Sequence, residues 1–384
     1  MTVWIVNPFD NLPPEGYRPQ RYWLMARAFA QAGHRTTYWT SDFSHAHKAP
    51  RQLKETVAPD GFRLALVPTR PYPSNICLRR VRSHRALARA WRLMAEASAE
   101  RPDVVIASLP PLSLASAALA FSRKVAARFV VDIQDAWPET FYRVAPAWLF
   151  APLRATARRI YRAADAVTAV AARYLDLARS YGATAPAHLC HLGIDVDESR
   201  TTKADIGTTP HSPFTLLYLG AMGKSYDLET VIDAVKEMGD VELDLAGTGP
   251  KETALRARAT DCPRIRFHGY LDATALQTLF ARADAGVIPM FPDSCVGVPN
   301  KMADYAAAGL RVVYSLPGET ADIASRFAAG AFYAAGDVQS FKNAASALRH
   351  PAPDFKPDAF RDFFDARRLY AGYVDFIHKL MRQP

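Results

Sequence analysis

The amino-acid sequence predicts an α/β fold of two Rossmann-like halves, each a doubly wound parallel sheet, that face a cleft. Two observations favour this class. Short apolar runs alternate with helical stretches along the 384 residues, which is the pattern of strand–helix repeats in a parallel sheet. A polar stretch at residues 196–213 interrupts the alternation, which resumes after it. The chain therefore consists of two α/β domains joined by a linker.

The first half begins with a predicted strand at residues 3–7, a loop rich in turn residues at 10–19, and a helix over 20–32 that ends at Gly33. This strand–loop–helix unit is typical of the start of a doubly wound sheet. The further strands predicted in this half are 36–40, 63–68, 103–110, 128–135 and 165–170, and the further helices are 79–101 and 152–164.

The second half repeats the pattern more regularly. Its predicted strands are 215–220, 241–246, 265–271, 285–289 and 311–315, and its helices are 228–238, 252–259, 274–283 and one that opens near residue 299. A last helix over 358–380 carries a continuous aromatic stripe that must be buried. The predicted domains are 1–195, a linker at 196–213, 214–356, and a C-terminal helical segment at 357–384 that packs back on the first domain.

The net charge of +9 is concentrated in the first half. Residues 1–200 carry 27 Lys and Arg against 16 Asp and Glu, whereas residues 201–384 carry 20 against 22. An asymmetry of this kind indicates an anionic partner for the first half. The four cysteines are scattered without a CxxC pair, which argues against a disulfide scaffold or a zinc site and favours a reducing compartment. The sequence shows neither a signal peptide nor an uncharged apolar run long enough to span a membrane, so we expect a cytoplasmic protein.

The stretch at residues 291–313, FPDSCVGVPNKMADYAAAGLRVV, is the strongest candidate site. A loop after the strand at 285–289 leads to a helix that begins around Pro299 and ends at Gly309. A helix N-terminus that follows a sheet strand favours bound anions. Asn300 and Lys301 offer a donor and a cation for phosphate oxygens, and Asp304 lies one turn further along. We predict a nucleotide diphosphate here, with a capped helix and a solvated Asp as the alternative.

Other candidate residues follow strand ends in both halves. Gly220 and Lys224 lie between the first strand and the first helix of the second half, where the backbone can approach a phosphate; an ordinary turn is the alternative. Asp135 lies at the C-terminal edge of the strand at 128–135 and is the best candidate for a carboxylate facing the cleft. Gly16 lies in the first loop, where the backbone can come close to a ligand. A metal site at His45 and His47 lacks a carboxylate or cysteine and is not expected.

The helix at 79–101 is basic and amphipathic. Such a helix is typical of membrane-surface binding, and a solvated face is the alternative. Nucleic acid is the competing partner, but no recognised nucleic-acid motif accompanies the charge. The arginines of a second helix, Arg154, Arg158, Arg159 and Arg162, add to the positive surface. The predicted membrane-facing residues are Arg79, Arg82, Arg85 and Arg89.

These segments together resemble the retaining GT-B glycosyltransferases of the family 4 type, over essentially the whole chain. The resemblance is strongest in YLGAMGKSYDLETVIDAV, LDLAGTGP, IRFHGYL, ADAGVIP and VPNKMADYAAAGLRVV, and HLGIDVD, FSHAHK and DIQDAWPE add to it. The nearest branch is the one that builds O-antigen and capsule and includes N-acetylfucosaminyl transferases. The resemblance implies a GT-B fold and a nucleotide-sugar donor bound mainly by the second domain.

The resemblance also implies roles for single residues. Asp304 matches the second acid of the family's E-x7-E motif, which holds the ribose, and Lys224 falls near its basic pair for the diphosphate. Three positions depart from the family pattern. Val296 stands in place of the first acid, Ala221 stands in place of the arginine after the strand glycine, and the histidine often found in the first domain is replaced around Gln134 and Asp135. Lys224 and Asp135 are the predicted catalytic residues, the latter orienting acceptor or donor sugar.

The expected activity is metal-independent, retaining hexosyl transfer (EC 2.4) without a cofactor. The donor is a nucleotide-sugar, most simply a UDP-sugar, and the acceptor a lipid-linked or other saccharide in bacterial surface polysaccharide synthesis. The expected location is the inner face of the cell membrane, with no nucleic-acid partner. A GT-B nucleotide-sugar epimerase and a non-catalytic nucleotide-sugar-binding partner are the alternatives.

Overall fold

The computed structural model describes residues 1–53, 56–75, 77–143, 145–196 and 213–383. The chain divides into two compact units, unit 1 (Met1–Gly193 and Ala366–Pro384) and unit 2 (Ile194–Asp365). The linker predicted at 196–213 lies outside the described residues apart from its two ends.

Unit 1 contains a largely parallel sheet in the order β10-β9-β8-β7-β1-β2-β6-β5, in which only β5 runs antiparallel to its neighbour. A two-stranded antiparallel ladder, β3 and β4, lies outside this sheet. The strands are β1 (Thr2–Val6), β2 (Arg35–Ser41), β3 (Phe43–Ser44), β4 (Ala49–Pro50), β5 (Thr56–Val57), β6 (Arg63–Val67), β7 (Val104–Leu109), β8 (Arg128–Ile133), β9 (Ala166–Ala169) and β10 (Ala187–Leu189).

The direction of the chain reverses in unit 1 between β1 and β7, because β2 and β6 lie on one side of β1 and the strands from β7 onwards lie on the other. Such a reversal is where open α/β sheets bind their ligands, outside the carboxyl ends of the strands. The helices of the unit are α1 (Arg21–Gln31), α2 (Leu78–Ala97), α3 (Leu112–Lys124), α4 (Ala151–Ala163), α5 (Ala172–Ser180) and, from the C-terminal end of the chain, α13 (Ala366–Met381).

Unit 2 contains a wholly parallel sheet in the order β13-β12-β11-β14-β15-β16. This is the strand order of a Rossmann fold, with the reversal between β11 and β14. Its strands are β11 (Phe214–Leu219), β12 (Val241–Ala246), β13 (Ile265–Gly269), β14 (Ala285–Ile288), β15 (Arg311–Tyr314) and β16 (Gly330–Phe332). Its helices are α6 (Leu228–Glu237), α7 (Glu252–Arg258), α8 (Ala273–Arg282), α9 (Asn300–Ala307), α10 (Glu319–Arg326), α11 (Val338–Ala347) and α12 (Pro357–Phe363).

The prediction of two Rossmann-like parallel sheets is confirmed. The single helix predicted over 358–380 is wrong in one respect, because it is two helices, α12 and α13, that belong to different units. The chain leaves α12 at Phe364, whose carbonyl accepts a 2.9 Å hydrogen bond from the Ile194 N–H. Helix α13 then packs on α1, and its Tyr370, Tyr373 and Ile377 are fully buried in the core of unit 1. Among the described residues, no helix is both long and apolar enough to cross a bilayer.

A buried charged network supports the carboxyl ends of β8 and β9 in unit 1. Arg21 of α1 donates two hydrogen bonds of 2.9 Å to the carboxylate of Asp132. Tyr22 and Thr168 donate to the same carboxylate at 2.7 and 2.6 Å, and the remaining Arg21 nitrogen donates to the Cys190 carbonyl at 2.9 Å. A buried ion pair in an open sheet needs such added hydrogen bonds to offset its desolvation. The network therefore fixes α1 against the sheet.

Candidate functional site

Two loops meet at the strand reversal of unit 2. One follows β11 and leads to α6, and the other follows β14 and leads to α9. Backbone hydrogen bonds join them, from the Asp227 N–H to the Pro289 carbonyl (2.8 Å) and from the Phe291 N–H to the Ser225 carbonyl (3.2 Å). The predicted residues Gly220, Lys224, Asn300, Lys301 and Asp304 all lie in or directly after these loops. The structure thus brings the sequence-predicted donor residues of this unit to the edge where a Rossmann fold binds its ligand.

Glycines allow the loops at this edge to pack closely. Gly220 has a φ of 121° and Gly247 a φ of 133°, in the region that side chains rarely adopt. A Cβ atom on Gly247 would lie 2.0 Å from the Gly220 carbonyl oxygen, so no other residue fits there. The turn after β12 therefore packs directly against the backbone of the Gly220 loop.

The helix α9 is locked to the sheet by Tyr305. The Tyr305 hydroxyl donates to the Leu217 carbonyl at 2.8 Å and accepts from the Leu219 N–H at 3.2 Å. The ring occupies the space beside Gly286, where a Cβ atom would come within 2.4 Å of it. These contacts hold the second turn of α9 against β11 and β14.

The start of α9 is placed one residue later than the sequence predicts. Pro299 is the N-cap rather than the first helical residue, and α9 begins at Asn300. Pro299 has no side chain that could cap this N-terminus. The Met302 N–H bonds to the Pro299 carbonyl at 2.9 Å, and the helix start is a place where an anionic acceptor can bind. The helix ends before Gly309, which adopts a φ of 69° as a C-terminal glycine should.

Lys301 is the most unusual side chain of the site. It is only 7% exposed, and its Nζ atom has no hydrogen-bond partner among the described residues. The ammonium lies against two aromatic rings, 4.1 Å from the centre of Tyr218 and 4.2 Å from that of Tyr226. Burial lowers the pKa of Lys301 to about 7, and the nearby charge of Asp304 acts in the opposite direction. An amine held in this way is poised to gain a proton and an anionic partner together.

Gly220 lies directly beside this amine. A Cβ atom on Gly220 would be 3.6 Å from Lys301 Nζ. The Lys301 amine therefore lies beside the Gly220 backbone, and Lys301 is itself the second residue of α9. An amine, a glycine backbone and a helix N-terminus are groups that stabilise negative charge.

The other predicted residues of unit 2 are less buried than Lys301. Asn300 is exposed at the first position of α9, and Asp304 is half-buried one turn further along. Lys224 is exposed on the turn before α6. Val296 is half-buried in the loop that leads to α9.

Asp135 and Gly16 belong to unit 1. Asp135 is half-buried just after β8, and one of its carboxylate oxygens accepts hydrogen bonds from the Ala136 N–H (2.9 Å) and the Thr140 hydroxyl (3.1 Å). Burial raises the pKa of Asp135, although these hydrogen bonds oppose the shift. Gly16 is exposed and ends a short 3₁₀ turn (Pro13–Glu15) with a φ of 84°. The four predicted membrane-facing arginines of α2, Arg79, Arg82, Arg85 and Arg89, are all exposed.

Sequence reasoning missed the two tyrosines that hold Lys301, and it also missed Arg80. Tyr218 lies on a buried strand, and Tyr226 lies just before a helix, so neither stands out from a core residue. Arg80 does carry a signal, because it stands four residues before His84 and in register with the buried stripe of α2. A basic residue in line with an apolar stripe indicates a function for its charge.

Two family models match the chain. The model described as "Glycosyltransferase Family 4" matches residues 21–198, and the model described as "Glycosyl transferases group 1" matches residues 213–350. No curated protein matches the sequence.

Solved structures match over nearly the full length. Sucrose-phosphate synthase from Thermosynechococcus elongatus has a TM-score of 0.77 at 12% identity, over 99% of this chain and 98% of that one. The Anabaena protein HepE in complex with UDP and glucose has a TM-score of 0.68 at 13% identity, over 99% and 100%. The lipopolysaccharide outer core galactosyltransferase WaaB has a TM-score of 0.65 at 15% identity, over 99% of each chain. At these identities the likeness concerns the fold.

The fold and the matched models define a GT-B protein of two Rossmann-like domains. The chain is a glycosyltransferase (EC 2.4).

Proposed function

We propose that this glycosyltransferase takes its sugar from a nucleotide-sugar, most simply a UDP-sugar, and that unit 2 binds the donor. One observation carries the proposal: the buried Lys301 ammonium, without a hydrogen-bond partner among the described residues, faces the Gly220 backbone beside an uncapped helix N-terminus. A diphosphate supplies the negative charge and the acceptor oxygens that this arrangement lacks. The UDP named with the HepE structure fits the same donor chemistry.

The same groups serve the chemical step. Charge develops on the leaving diphosphate as the glycosidic bond breaks, and preorganised cations lower the barrier most when water is excluded from them. Lys301, the α9 N-terminus and the exposed Lys224 would supply this stabilisation without a metal ion. Asp304, one turn into α9, would accept hydrogen bonds from the ribose. Asp135 of unit 1 would orient the acceptor or the donor sugar, and Gly16 would bring backbone close to the ligand.

The acceptor is proposed to be lipid-linked or another saccharide of bacterial surface polysaccharide synthesis, bound through unit 1 at the inner face of the cell membrane. The exposed arginines of α2 support this, and so do Leu78 and Val81 on the same helix, which are 77% and 47% exposed. Basic and apolar side chains on one exposed helix are typical of surface binding to anionic lipid. The named role of WaaB in the lipopolysaccharide outer core is compatible with such an acceptor. We further propose retention of the anomeric configuration and membership of the O-antigen and capsule branch.

Incubation of the purified protein with a panel of nucleotide-sugars tests the proposal. A transferase releases UDP slowly from its donor by hydrolysis and faster once an acceptor is present. Conversion of the sugar with the nucleotide still attached would identify an epimerase instead. Binding without either change would identify a non-catalytic partner. The anomeric configuration of the product, read by NMR, tests retention.

A further inference from the structure

A second cationic cluster lies in unit 1, at the carboxyl end of its sheet. Its members follow four different strands: Phe9 follows β1, His45 follows β3, Tyr72 follows β6 and Trp137 follows β8. Lys48 and Arg80, near the start of α2, complete it. We call these residues the Arg80 cluster. This position, around the strand reversal between β1 and β7, is where an open α/β sheet binds a ligand.

Three aromatic rings lie around the guanidinium of Arg80. Its Cζ atom lies 5.4 Å from the centre of the Trp137 ring, 5.7 Å from Phe9 and 5.9 Å from Tyr72. Its nitrogens donate hydrogen bonds to the Asn75 carbonyl (2.7 Å) and to Nε2 of His84 (3.4 Å). These partners are neutral, and they use only some of the five N–H donors of the guanidinium.

A second cation lies beside it. The Lys48 ammonium is 5.2 Å from the centre of the same Tyr72 ring and donates to the side-chain oxygen of Asn75 at 2.6 Å. Within the part of the chain that the structure describes, neither Arg80 nor Lys48 forms an ion pair with a carboxylate. The charge of Asp135 acts on Arg80, but the carboxylate of Asp135 accepts hydrogen bonds from Ala136 and Thr140.

Burial and the two nearby cations lower the pKa values of two histidines in this region. Burial, together with Lys48 and Arg80, lowers the pKa of His45 to about 3. Burial, together with Arg80 and His45, lowers the pKa of His84 to about 3. Both imidazoles are therefore neutral at physiological pH and add no positive charge of their own. Two half-buried cations among aromatic rings, without an ion-paired carboxylate in the described part of the chain, leave a site that a bound anion would complete.

We propose that the Arg80 cluster binds an oxyanion carried by a sugar ring of the acceptor, either a phosphate or a carboxylate. Arg80 and Lys48 bind the oxyanion, and the half-buried rings of Phe9 and Trp137 flank the sugar. The assignment to an acceptor rests on the proposed glycosyl transfer, whereas the binding of an anionic sugar does not. The planar fork of Arg80 is suited to two parallel hydrogen bonds with a phosphate or carboxylate. An uncharged saccharide is thereby disfavoured as the natural acceptor.

Binding of small probes in the absence of any nucleotide tests this inference. Glucose 1-phosphate, glucuronate, inorganic phosphate and uncharged glucose are titrated into wild-type protein, Arg80→Gln and Arg92→Gln by calorimetry. Arg92→Gln removes the same charge from an exposed position of α2 and is the matched control. Wild-type protein is expected to bind at least one charged sugar ten-fold or more tighter than glucose, and tighter than inorganic phosphate. Arg80→Gln is expected to weaken that binding at least ten-fold, and Arg92→Gln to leave it unchanged.

The preferred probe distinguishes a phosphorylated from a carboxylated sugar. A Trp137→Leu variant separates the ring contribution, because it is expected to weaken binding of the charged sugar more than binding of inorganic phosphate. Equal affinity for glucose and the charged sugars, or unchanged affinity in a folded Arg80→Gln protein, would overturn the inference. Failure of UDP binding would contradict the proposed donor site and leave this result standing, so the two proposals fail separately.

Discussion

The Nζ atom of Lys301 lies 4.1 Å above the ring of Tyr218, on the strand that borders the sheet reversal of unit 2. Such a cation–π contact offsets part of the cost of burying a charge but supplies no acceptor for its N–H bonds. Lys301 is thus held in place before any ligand arrives. A site of this kind gains affinity because little ordering remains to be done when the ligand binds.

Removal of the Lys301 charge should stabilise the unliganded protein in a pH-dependent way. The pKa of Lys301 is about 7 in the folded state against 10.5 in its usual state, so the unfolded chain binds the extra proton between these values. Below pH 7 the free energy of unfolding of the wild type is lowered by the full cost of burying the charged lysine. As the pH rises towards 10.5, this free energy increases by up to about 1.4 kcal/mol per pH unit. Lys301→Met keeps the volume and lacks this dependence. Urea unfolding of both proteins at about pH 6 and about pH 9 measures it.

The Lys301→Met protein should be the more stable one at the lower pH, and the difference should shrink at the higher pH. Other groups that titrate in this range affect both proteins equally. Their contribution therefore cancels when the difference in unfolding free energy between the two proteins is compared at the two pH values. A difference that does not change with pH would show that Lys301 is not buried as an amine of low pKa.

Asp304 should contribute to nucleotide binding through the ribose. Loss of a charged hydrogen bond predicts that Asp304→Asn weakens UDP binding by roughly 1–3 kcal/mol. The specific check is a thermodynamic cycle, in which the binding free energies of UDP and 2′-deoxy-UDP are measured for wild type and for Asp304→Asn. If Asp304 accepts from the 2′-hydroxyl, the two changes are not additive, because the second removes a bond already lost. Additive losses would assign Asp304 to another part of the ligand, and an unchanged UDP affinity in a folded variant would remove it from the site.

Membrane docking through α2 predicts salt-sensitive binding to anionic vesicles. Each arginine near an anionic surface contributes about 1 kcal/mol, so replacing Arg79, Arg82, Arg85 and Arg89 by Gln should abolish most of the binding. Sedimentation with phosphatidylglycerol vesicles at low and high salt measures this, with phosphatidylcholine vesicles as the uncharged control.

A second quadruple variant, with Arg154, Arg158, Arg159 and Arg162 replaced by Gln, separates the two basic surfaces. Helix α4 also carries exposed apolar neighbours, since Trp148 is 73% and Leu149 is 50% exposed. Loss of binding in only one variant assigns the docking surface to that helix. Wild-type protein that ignores anionic vesicles at low salt would rule out docking.

The buried pair of Arg21 and Asp132 should be essential for stability rather than for ligand binding. Breaking a buried pair leaves one charge uncompensated, so Asp132→Asn should lower the free energy of unfolding by roughly 3–5 kcal/mol. Burial alone would raise the pKa of Asp132, but Arg21 and the hydrogen bonds outweigh it and hold that pKa below its usual range. The pair's contribution is therefore present above the unfolded pKa of about 3.9 and declines as the pH falls through the lower, folded value.

Urea unfolding across this acidic range should show the gap between wild type and Asp132→Asn closing as the pH falls. A double variant, Arg21→Met with Asp132→Leu, should recover part of the loss, since neither charge then remains unpaired. A gap that stays constant with pH would contradict the account of the pair.

The sequence predicted the fold class well because local patterns determine it. The alternation of strands and helices, and the Gly and Pro residues that end them, can be recognised without tertiary information. The strands of unit 2 lie close to their predicted positions. The break between α12 and α13 was not predictable in this way. The aromatic stripe at 358–380 continues across it, whereas the break depends on a backbone hydrogen bond from Ile194, far away in the sequence.

The candidate site was predicted in part. Helix start and strand-end signals identified the α9 region. The burial of Lys301 depends on Tyr218 of β11 and on Tyr226 in the loop that follows it. Tertiary contacts of this kind leave no periodic trace in the sequence. The same is true of Asp132. In the sequence it is one residue of a buried strand, and only the structure shows its hydrogen bonds with Arg21.

The most direct test of the donor site is the affinity for UDP, measured by calorimetry near neutral pH, of wild-type protein, Lys301→Met and the exposed control Lys379→Met. Loss of a charge-assisted contact of roughly 1.5–3 kcal/mol predicts an affinity at least ten-fold weaker in Lys301→Met. Lys379→Met should bind UDP as wild type does. Equal UDP affinity in all three folded proteins, or no UDP binding by wild type, would contradict a nucleotide diphosphate at the strand reversal of unit 2.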